Sequence, residues 1–451
     1  MIPRPSKLPW RVALLGAAAI ALAGAAPDDF DVKTQIGPHP VLPEPQQYLV
    51  PPMHVAKVVG WKAGEAPSAP EGMKVTAMAT GLDHPRSVYT LPNGDVLVVE
   101  SQGPNLEPVS RPKTIVMRWV QSFATSAGAS KDSNRITLLR STHGDGKYDV
   151  RTVFIDHLYS PFGVALVGGD LYVANTDAIL RFHYTTGATS ITEPGTVLTR
   201  LPGGPIDHHW TKSLVASEDG TKLYAGVGSN SNITENGLAA ELDRASIWEI
   251  DRATGAHRIF ADGLRNPNGL SWEPQSHALW AVINERDELG PNLVPDYMTS
   301  VQDGGFYGWP YSYYGQHIDP RVQPQRPDLV AKAIVPDYAL SSHVAPLGLV
   351  FDTGNGLPAR YSGGAFVGEH GSWDRQILNG YKVVFIPFAN GKPSGMAEDF
   401  VTGFLDKDDN ARGRPVAVAL DNAGALMIAD DVGNTVWRVA PDIQKQAART
   451  N

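Results

Sequence analysis

One hairpin pattern recurs six times along the chain, and few folds can accommodate it. In each copy a turn with a polar residue, often beside Pro, leads into a short apolar strand. A Gly/Asp/Asn turn follows, and a second apolar strand ends in polar residues. The first copy runs from Gly81-Leu82-Asp83-His84-Pro85 through Pro92-Asn93-Gly94 to Val96-Leu97-Val98-Val99-Glu100. The fourth runs from Arg265-Asn266-Pro267-Asn268-Gly269-Leu270 to Leu279-Trp280-Ala281-Val282-Ile283-Asn284-Glu285. Pro85, Pro161, Thr211, Pro267, Pro346 and Pro415 are the equivalent positions, about 50 to 80 residues apart, enough for one four-stranded blade per repeat. A parallel α/β sheet would need amphipathic helices between the strands, and none of convincing length is present. The expected fold is all-β: a six-bladed β-propeller with four-stranded antiparallel blades over residues 72–440, followed by a tail over 441–451.

Composition agrees with a turn-rich fold. The 451 residues include Gly 45 and Pro 36, which favours many turns over long helices. With Cys 0, disulfides, thiolate metal sites, iron–sulfur clusters, cysteine nucleophiles and a CxxCH haem are all excluded.

The first 25 residues read as a secretory signal. Arg4, Lys7 and Arg11 form a basic start, Val12 to Ala23 is apolar, and Ala23-Gly24-Ala25 is a small-residue cleavage site. The apolar stretch is too short to span a bilayer, and no later stretch reaches the length required. Residues 26–71 are Pro-rich and weakly periodic and are expected to form an irregular arm lying on the domain or a partly ordered leader. Removing the basic start makes the chain more acidic than its formal charge of -9, a poor match to nucleic acid. A cysteine-free exported protein suits a periplasm or the secreted medium.

The repeat also locates a site. Strand starts and second-strand ends share one face of a hairpin, so in a propeller they ring the channel mouth. The starts supply His84, Arg86, His209, Arg265, Asn266, Arg412 and Arg414. The ends supply Glu100, Asn175, Asp177, Ser229, Asn284, Glu285, Glu369, His370, Asp430 and Asp431. Clustered Arg and His on an acidic protein point to an anionic ligand carrying carboxylates or phosphates.

Leu264-Arg265-Asn266-Pro267-Asn268-Gly269-Leu270, Gly304-Gly305-Phe306-Tyr307-Gly308-Trp309-Pro310 and Arg412-Gly413-Arg414-Pro415 resemble the soluble PQQ-dependent sugar dehydrogenases. Asn284-Glu285-Arg286-Asp287-Glu288-Leu289-Gly290 and Gly368-Glu369-His370-Gly371-Ser372-Trp373 are similar to the L-sorbosone dehydrogenase branch. The resemblance runs from about Glu71 to Ala440. It implies a quinone cofactor, PQQ, on the channel mouth with a bound calcium, a small-molecule sugar substrate, and electrons passed to an external quinone or cytochrome. By this resemblance His209 is the general base, Arg265 stabilises charge developing on the cofactor oxygen, and Asn266 is its hydrogen-bonding neighbour. Arg412 and Arg414 grip PQQ carboxylates, and His370 stands near the place of the family's cofactor-binding lysine. The calcium takes main-chain carbonyls after the fourth repeat's second strand, here Gly290 and Pro291. Ser229 stands where relatives carry an aspartate beside the base, so Asp207 or another group is expected to orient His209.

Two other classes fit a six-bladed propeller. A calcium-dependent lactonase-like hydrolase would need a metal ringed by groups such as Glu100, Asn175, Asn284 and Asp430, and would leave the arginines unexplained. A non-catalytic propeller would bind carbohydrate or a partner on its rim. The oligomeric state is not encoded in any of these patterns.

Overall fold

The computed structural model describes residues 30–48, 52–104, 133–144 and 146–442. The leader expected over 1–25 lies outside these residues, as does all but the first part of the expected C-terminal tail.

Six sheets stand around one axis, each built on four antiparallel strands running from the axis outward. Blade 1 is Pro85–Thr90, Val96–Glu100, Arg135–Arg140 and Val150–Ile155. Blade 2 is Gly163–Val167, Asp170–Ala174, Ala178–His183 and Thr196–Arg200. Blade 3 is Leu214–Ala216, Lys222–Val227, Ser246–Asp251 and His257–Asp262. Blade 4 is Pro267–Trp272, Leu279–Ile283, Pro295–Ser300 and Tyr338–Ser342, and blade 5 is Pro346–Phe351, Ala365–Glu369, Lys382–Ile386 and Glu398–Val401. Blade 6 takes Pro415–Leu420, Leu426–Asp430 and Thr435–Pro441 from the end of the chain and its outer strand, Met73–Ala79, from the beginning. That seam, with Lys74 opposite Ala440 and Thr76 opposite Arg438, closes the ring.

The second strands explain the apolar runs of the repeat. Val96–Glu100, Leu279–Ile283, Ala365–Glu369 and Leu426–Asp430 are buried at every position, because both faces of the strand meet neighbouring blades. A strand covered on both sides has no solvent face, so its sequence need not alternate. The inner strands pack so closely that a Cβ on Gly348 of blade 5 would come within 2.5 Å of the Val416 carbonyl oxygen of blade 6. Only glycine lets the backbones approach that far.

Insertions tie the blades together. The segment between the third and fourth strands of blade 4 returns to place Gly305–Phe306 parallel to the outer strand of blade 3. The N-terminal arm touches the propeller at several points. Ile36–Gly37 pairs with the outer strand of blade 4, Gln35 is fully buried against Ser342 and Asn292, and Trp61 packs edge-on against Trp437 and Phe404. Along the axis, buried Phe162, Leu347 and Val416 form an apolar floor with Trp210 packed against it, above a cavity of about 340 Å³ lined by the inner strands. Among the described residues no helix is long and apolar enough to cross a membrane.

Candidate functional site

Above the floor, the turn before blade 3 presents His209. Its Nδ1 lies 2.9 Å from the Ser229 carbonyl oxygen and 3.0 Å from Ser229 Oγ. The hydroxyl already donates its own hydrogen to the Ser231 carbonyl at 2.6 Å. Both neighbours of Nδ1 are therefore acceptors, and the ring proton belongs on Nδ1. Nε2 is left with its lone pair, as a proton acceptor must be. Burial, with His208 and Arg265 nearby, holds the imidazole well below its ordinary pKa, so the ring is neutral at neutral pH.

The main chain beneath the ring is held by a buried charge network. Arg244 donates to Asp207 at 2.8 Å and to the His209 carbonyl at 3.1 Å. Lys212 donates to the Trp210 carbonyl at 2.9 Å and lies 3.5 Å from Asp207, and Thr176 donates its hydroxyl to the same carboxylate. Burial pushes Lys212 down to about 7. Asp207 thus positions the backbone of His209 and has no hydrogen bond to its ring.

Arg265, at the start of blade 4, is buried with all five N–H groups directed at acceptors. Nε donates to the Asn232 carbonyl at 3.3 Å, and Nη1 to the Asn284 and Glu285 carbonyls at 3.2 and 2.6 Å. Nη2 donates to Asn232 Oδ1 at 3.1 Å and to Asp287 Oδ2 at 3.5 Å. Asn232 is itself fixed by Trp309, whose indole N–H reaches its carbonyl at 3.0 Å. Asn266 is buried beside this arginine, and its Oδ1 has no hydrogen-bond partner. Gly228 keeps that corner open: a Cβ there would overlap Asn266 Oδ1 and approach His209 Cβ to 2.5 Å.

Across the mouth, Asp431 gathers three side chains from blades 1 and 5. Its Oδ2 accepts from Arg86 at 2.6 Å and from His370 at 2.9 Å, with His84 at 3.6 Å. Its Oδ1 and Arg86 Nε are buried without partners. The Arg86 guanidinium lies 5.5 Å over the ring of Trp210, the residue following His209, which joins this cluster to the blade 3 turn. Arg414 donates through Nε to the His370 carbonyl and through Nη2 to the Gly371 carbonyl and Tyr381 hydroxyl, each at 3.1 Å. Its Nη1 has no hydrogen-bond partner among the described residues. Burial outweighs the Asp431 charge and pushes His370 down to about 4.

A sheet of six blades with this mouth has known relatives. Residues 170–372 match the family model described as glucose/sorbosone dehydrogenase, and residues 326–442 match one described as TrAA12-like. The central part of the chain is thus similar to the glucose/sorbosone dehydrogenases. A pyrroloquinoline quinone-dependent pyranose dehydrogenase of Coprinopsis cinerea is 24% identical over 358 residues, 70% of this chain and 44% of the relative. An uncharacterized protein of Borreliella burgdorferi is 28% identical over 292 residues, covering 62% of this chain and 76% of its own. In fold, the chain resembles the holo PQQ domain of the Coprinopsis enzyme, with TM-score 0.67, 20% identity and coverage of 86% and 100%. It also resembles the calcium structure of a Trichoderma reesei family AA12 enzyme, with TM-score 0.67, 19% identity and coverage of 84% and 97%.

Within this propeller, several expected placements need correction. Arg412 does not join Arg414: it turns to the arm, 3.7 Å from Glu65 and over the Trp61 ring, with Nη1 on the Gly403 carbonyl. Gly290 is not free to serve a calcium at the mouth. The Gly290 carbonyl is bonded to His343 Nε2 at 3.0 Å, and its Cα lies beneath Gln46 of the arm. The carbonyls that follow the second strand of blade 4 directly, Asn284 and Glu285, face Arg265 instead. Asp207 does not orient the His209 ring; Ser229 does, with two oxygens. The alternative ring of metal ligands is not assembled either. Glu100 is paired with Arg135 and Thr137, and Asp430 accepts from Trp61 and Trp437. Asn232, three residues beyond the strand-end position Ser229, was not anticipated; its place in the loop after Ser229 was the available signal.

Proposed function

We propose that this propeller is a quinoprotein dehydrogenase that oxidises a sugar or sugar-derived alcohol or aldehyde at the mouth of its channel. The carrying observation is the fixed tautomer of His209, neutral, with Nε2 free of the bond that holds Nδ1. The mouth also suits an anionic planar cofactor such as PQQ. Among the described residues, Arg414 Nη1 and Arg86 Nε are donors without acceptors, Asn266 Oδ1 is an acceptor without a donor, and Gly228 leaves the space beside it clear. When bound, PQQ supplies a two-electron acceptor for the hydride of the substrate carbon.

Each residue then has a task set by its surroundings. His209 Nε2 takes the hydroxyl proton while Nδ1–H stays on Ser229, and Ser229 stabilises the imidazolium with two oxygen dipoles rather than a full charge. Arg265 holds a positive charge at the mouth in a position locked by five hydrogen bonds, so no reorganisation is needed as negative charge develops. Arg414 and Arg86 grip carboxylates from the opposite side. Trp210 and Phe162 close the floor and exclude water from below. On this reading the protein is exported, and an external quinone or cytochrome takes the electrons. No calcium ligand set is assigned.

The test is a titration of the full chain with PQQ, with and without calcium, followed by dye reduction across aldoses, sorbosone and simple alcohols. Saturable absorbance change with turnover that His209→Ala abolishes supports the reading. No absorbance change at saturating PQQ sinks it.

A further inference from the structure

Behind Arg265, at the edge of the mouth, three side chains from different loops meet at one point. Asp287 comes from the loop after the second strand of blade 4, His343 from the end of that blade's outer strand, and Asp374 from the loop after the second strand of blade 5. One ligand atom from each lies within 4.8 Å of the others. The geometry points to a second metal site here, for a divalent transition ion of the zinc type, held by one imidazole and two carboxylates.

Four features carry it. His343 Nε2 is bonded to the Gly290 carbonyl at 3.0 Å, the outer contact that leaves Nδ1 as the ligand atom in histidine metal sites. That Nδ1 lies 3.3 Å from Asp287 Oδ1. Ligands about 2.0 to 2.1 Å from a tetrahedral zinc are separated by about 3.3 Å, so this pair is already spaced as one edge of such a site. Asp374 is 1% exposed, yet its Oδ1 has no hydrogen-bond partner, while its Oδ2 accepts from the Glu288 N–H at 3.3 Å. A buried carboxylate oxygen left without a donor has strong reason to take a cation. Finally, Asp287 Oδ2 is bound by Arg265 at 3.5 Å, which leaves Oδ1 as the oxygen turned to the site.

The ligand set selects the ion. A nitrogen ligand with few oxygens disfavours calcium, which takes six to eight oxygens, and suits zinc, cobalt or another first-row divalent ion. Three protein ligands leave a fourth position open for water. The site therefore differs in donor type from main-chain carbonyls at the mouth, and it does not depend on the quinone reading.

Cobalt(II) is the probe, added to the full chain without PQQ. One equivalent is expected to bind and give the visible d–d bands of a low-coordinate site, with paramagnetically shifted imidazole proton signals, and zinc is expected to displace it. His343→Gln and Asp374→Asn should each weaken binding by more than about tenfold. Thermal melts of both variants show whether their loops remain folded, and the imidazole signals of the unmodified chain report ligation even if they do not. A chain that stays spectrally silent with millimolar cobalt overturns the site. So does cobalt binding without shifted imidazole signals, or binding that both folded variants retain.

Discussion

Ser229 receives the Nδ1 hydrogen of His209 twice over, through its carbonyl at 2.9 Å and its hydroxyl at 3.0 Å. A carboxylate would bring a full charge to this contact; the serine brings two dipoles and fixes the same tautomer. Removing the hydroxyl leaves the carbonyl in place. Ser229→Ala should therefore lower kcat only modestly, by about three- to tenfold for one hydrogen bond of roughly 0.5–1.5 kcal/mol, whereas His209→Ala removes turnover. Steady-state dye reduction with PQQ present distinguishes these outcomes, and a Ser229→Ala loss as large as that of His209→Ala would contradict them.

On the proposed function, the depressed pKa of His209 should set the acid limb of activity. A base works when neutral, and burial keeps this one neutral below the ordinary histidine value. As pH falls, kcat/KM should stay level through about 6.5, the value of an unperturbed histidine, and decline only in more acidic buffer. A half-maximal rate at 6.5 or above would assign the titration to another group.

Arg412 and Arg414 are separated by a single residue and should behave differently. Arg414→Ala removes a guanidinium with an open Nη1, and PQQ binding should weaken about ten- to a hundredfold, as for a charged hydrogen bond of roughly 1.5–3 kcal/mol. Arg412→Ala should leave the affinity nearly unchanged and instead lower Tm, since its partners are Glu65, Trp61 and the Gly403 carbonyl. Absorbance titrations beside thermal melts test both halves.

Glu369 offers a pH dependence of stability. Its Oε2 is buried without a partner, and burial raises the carboxyl to about 8 from an ordinary value of 4.5. Between those values the unfolded chain releases the proton and the folded chain keeps it, so this group costs stability as pH climbs from 4.5 to about 8. Glu369→Gln keeps the shape and removes the ionisation. Its Tm advantage over the unmodified protein should grow from pH 5 to pH 8, and an advantage independent of pH would contradict the assignment.

Gly228→Ala should separate folding from catalysis. The added Cβ would overlap Asn266 Oδ1 and crowd His209 Cβ, so turnover and PQQ affinity should both collapse while far-UV circular dichroism stays that of the parent.

The ring of blades was legible because each second strand is covered on both faces and so writes an unbroken apolar run, as in Leu426-Met427-Ile428-Ala429. The mouth was legible only as a neighbourhood. Arg412 and Arg414 precede the strand at Pro415, so no strand alternation governs them. Gly413 between them is pressed against the Asp430 carboxylate, and the chain turns there. The arm was harder still. Gln35 is fully buried because Ser342 donates to its Oε1 and the Asn292 carbonyl accepts from its Nε2, and partners 307 and 257 residues away leave no local trace. Gly290 looked like a ligand by position, but Gln46 from the same arm covers it.

The seam in blade 6 delays completion of the ring until the chain has been made as far as Pro441. Until Thr435–Pro441 has been made, Met73–Ala79 has no strand to pair with and blade 6 lacks its two outer strands. The contacts that join the two ends of the chain span nearly the whole domain, which makes them the slowest to form and leaves an open arc of blades exposed to sticking in the meantime. A deletion of only a few residues before Pro441 would therefore unclasp the entire circle rather than trim one edge of it.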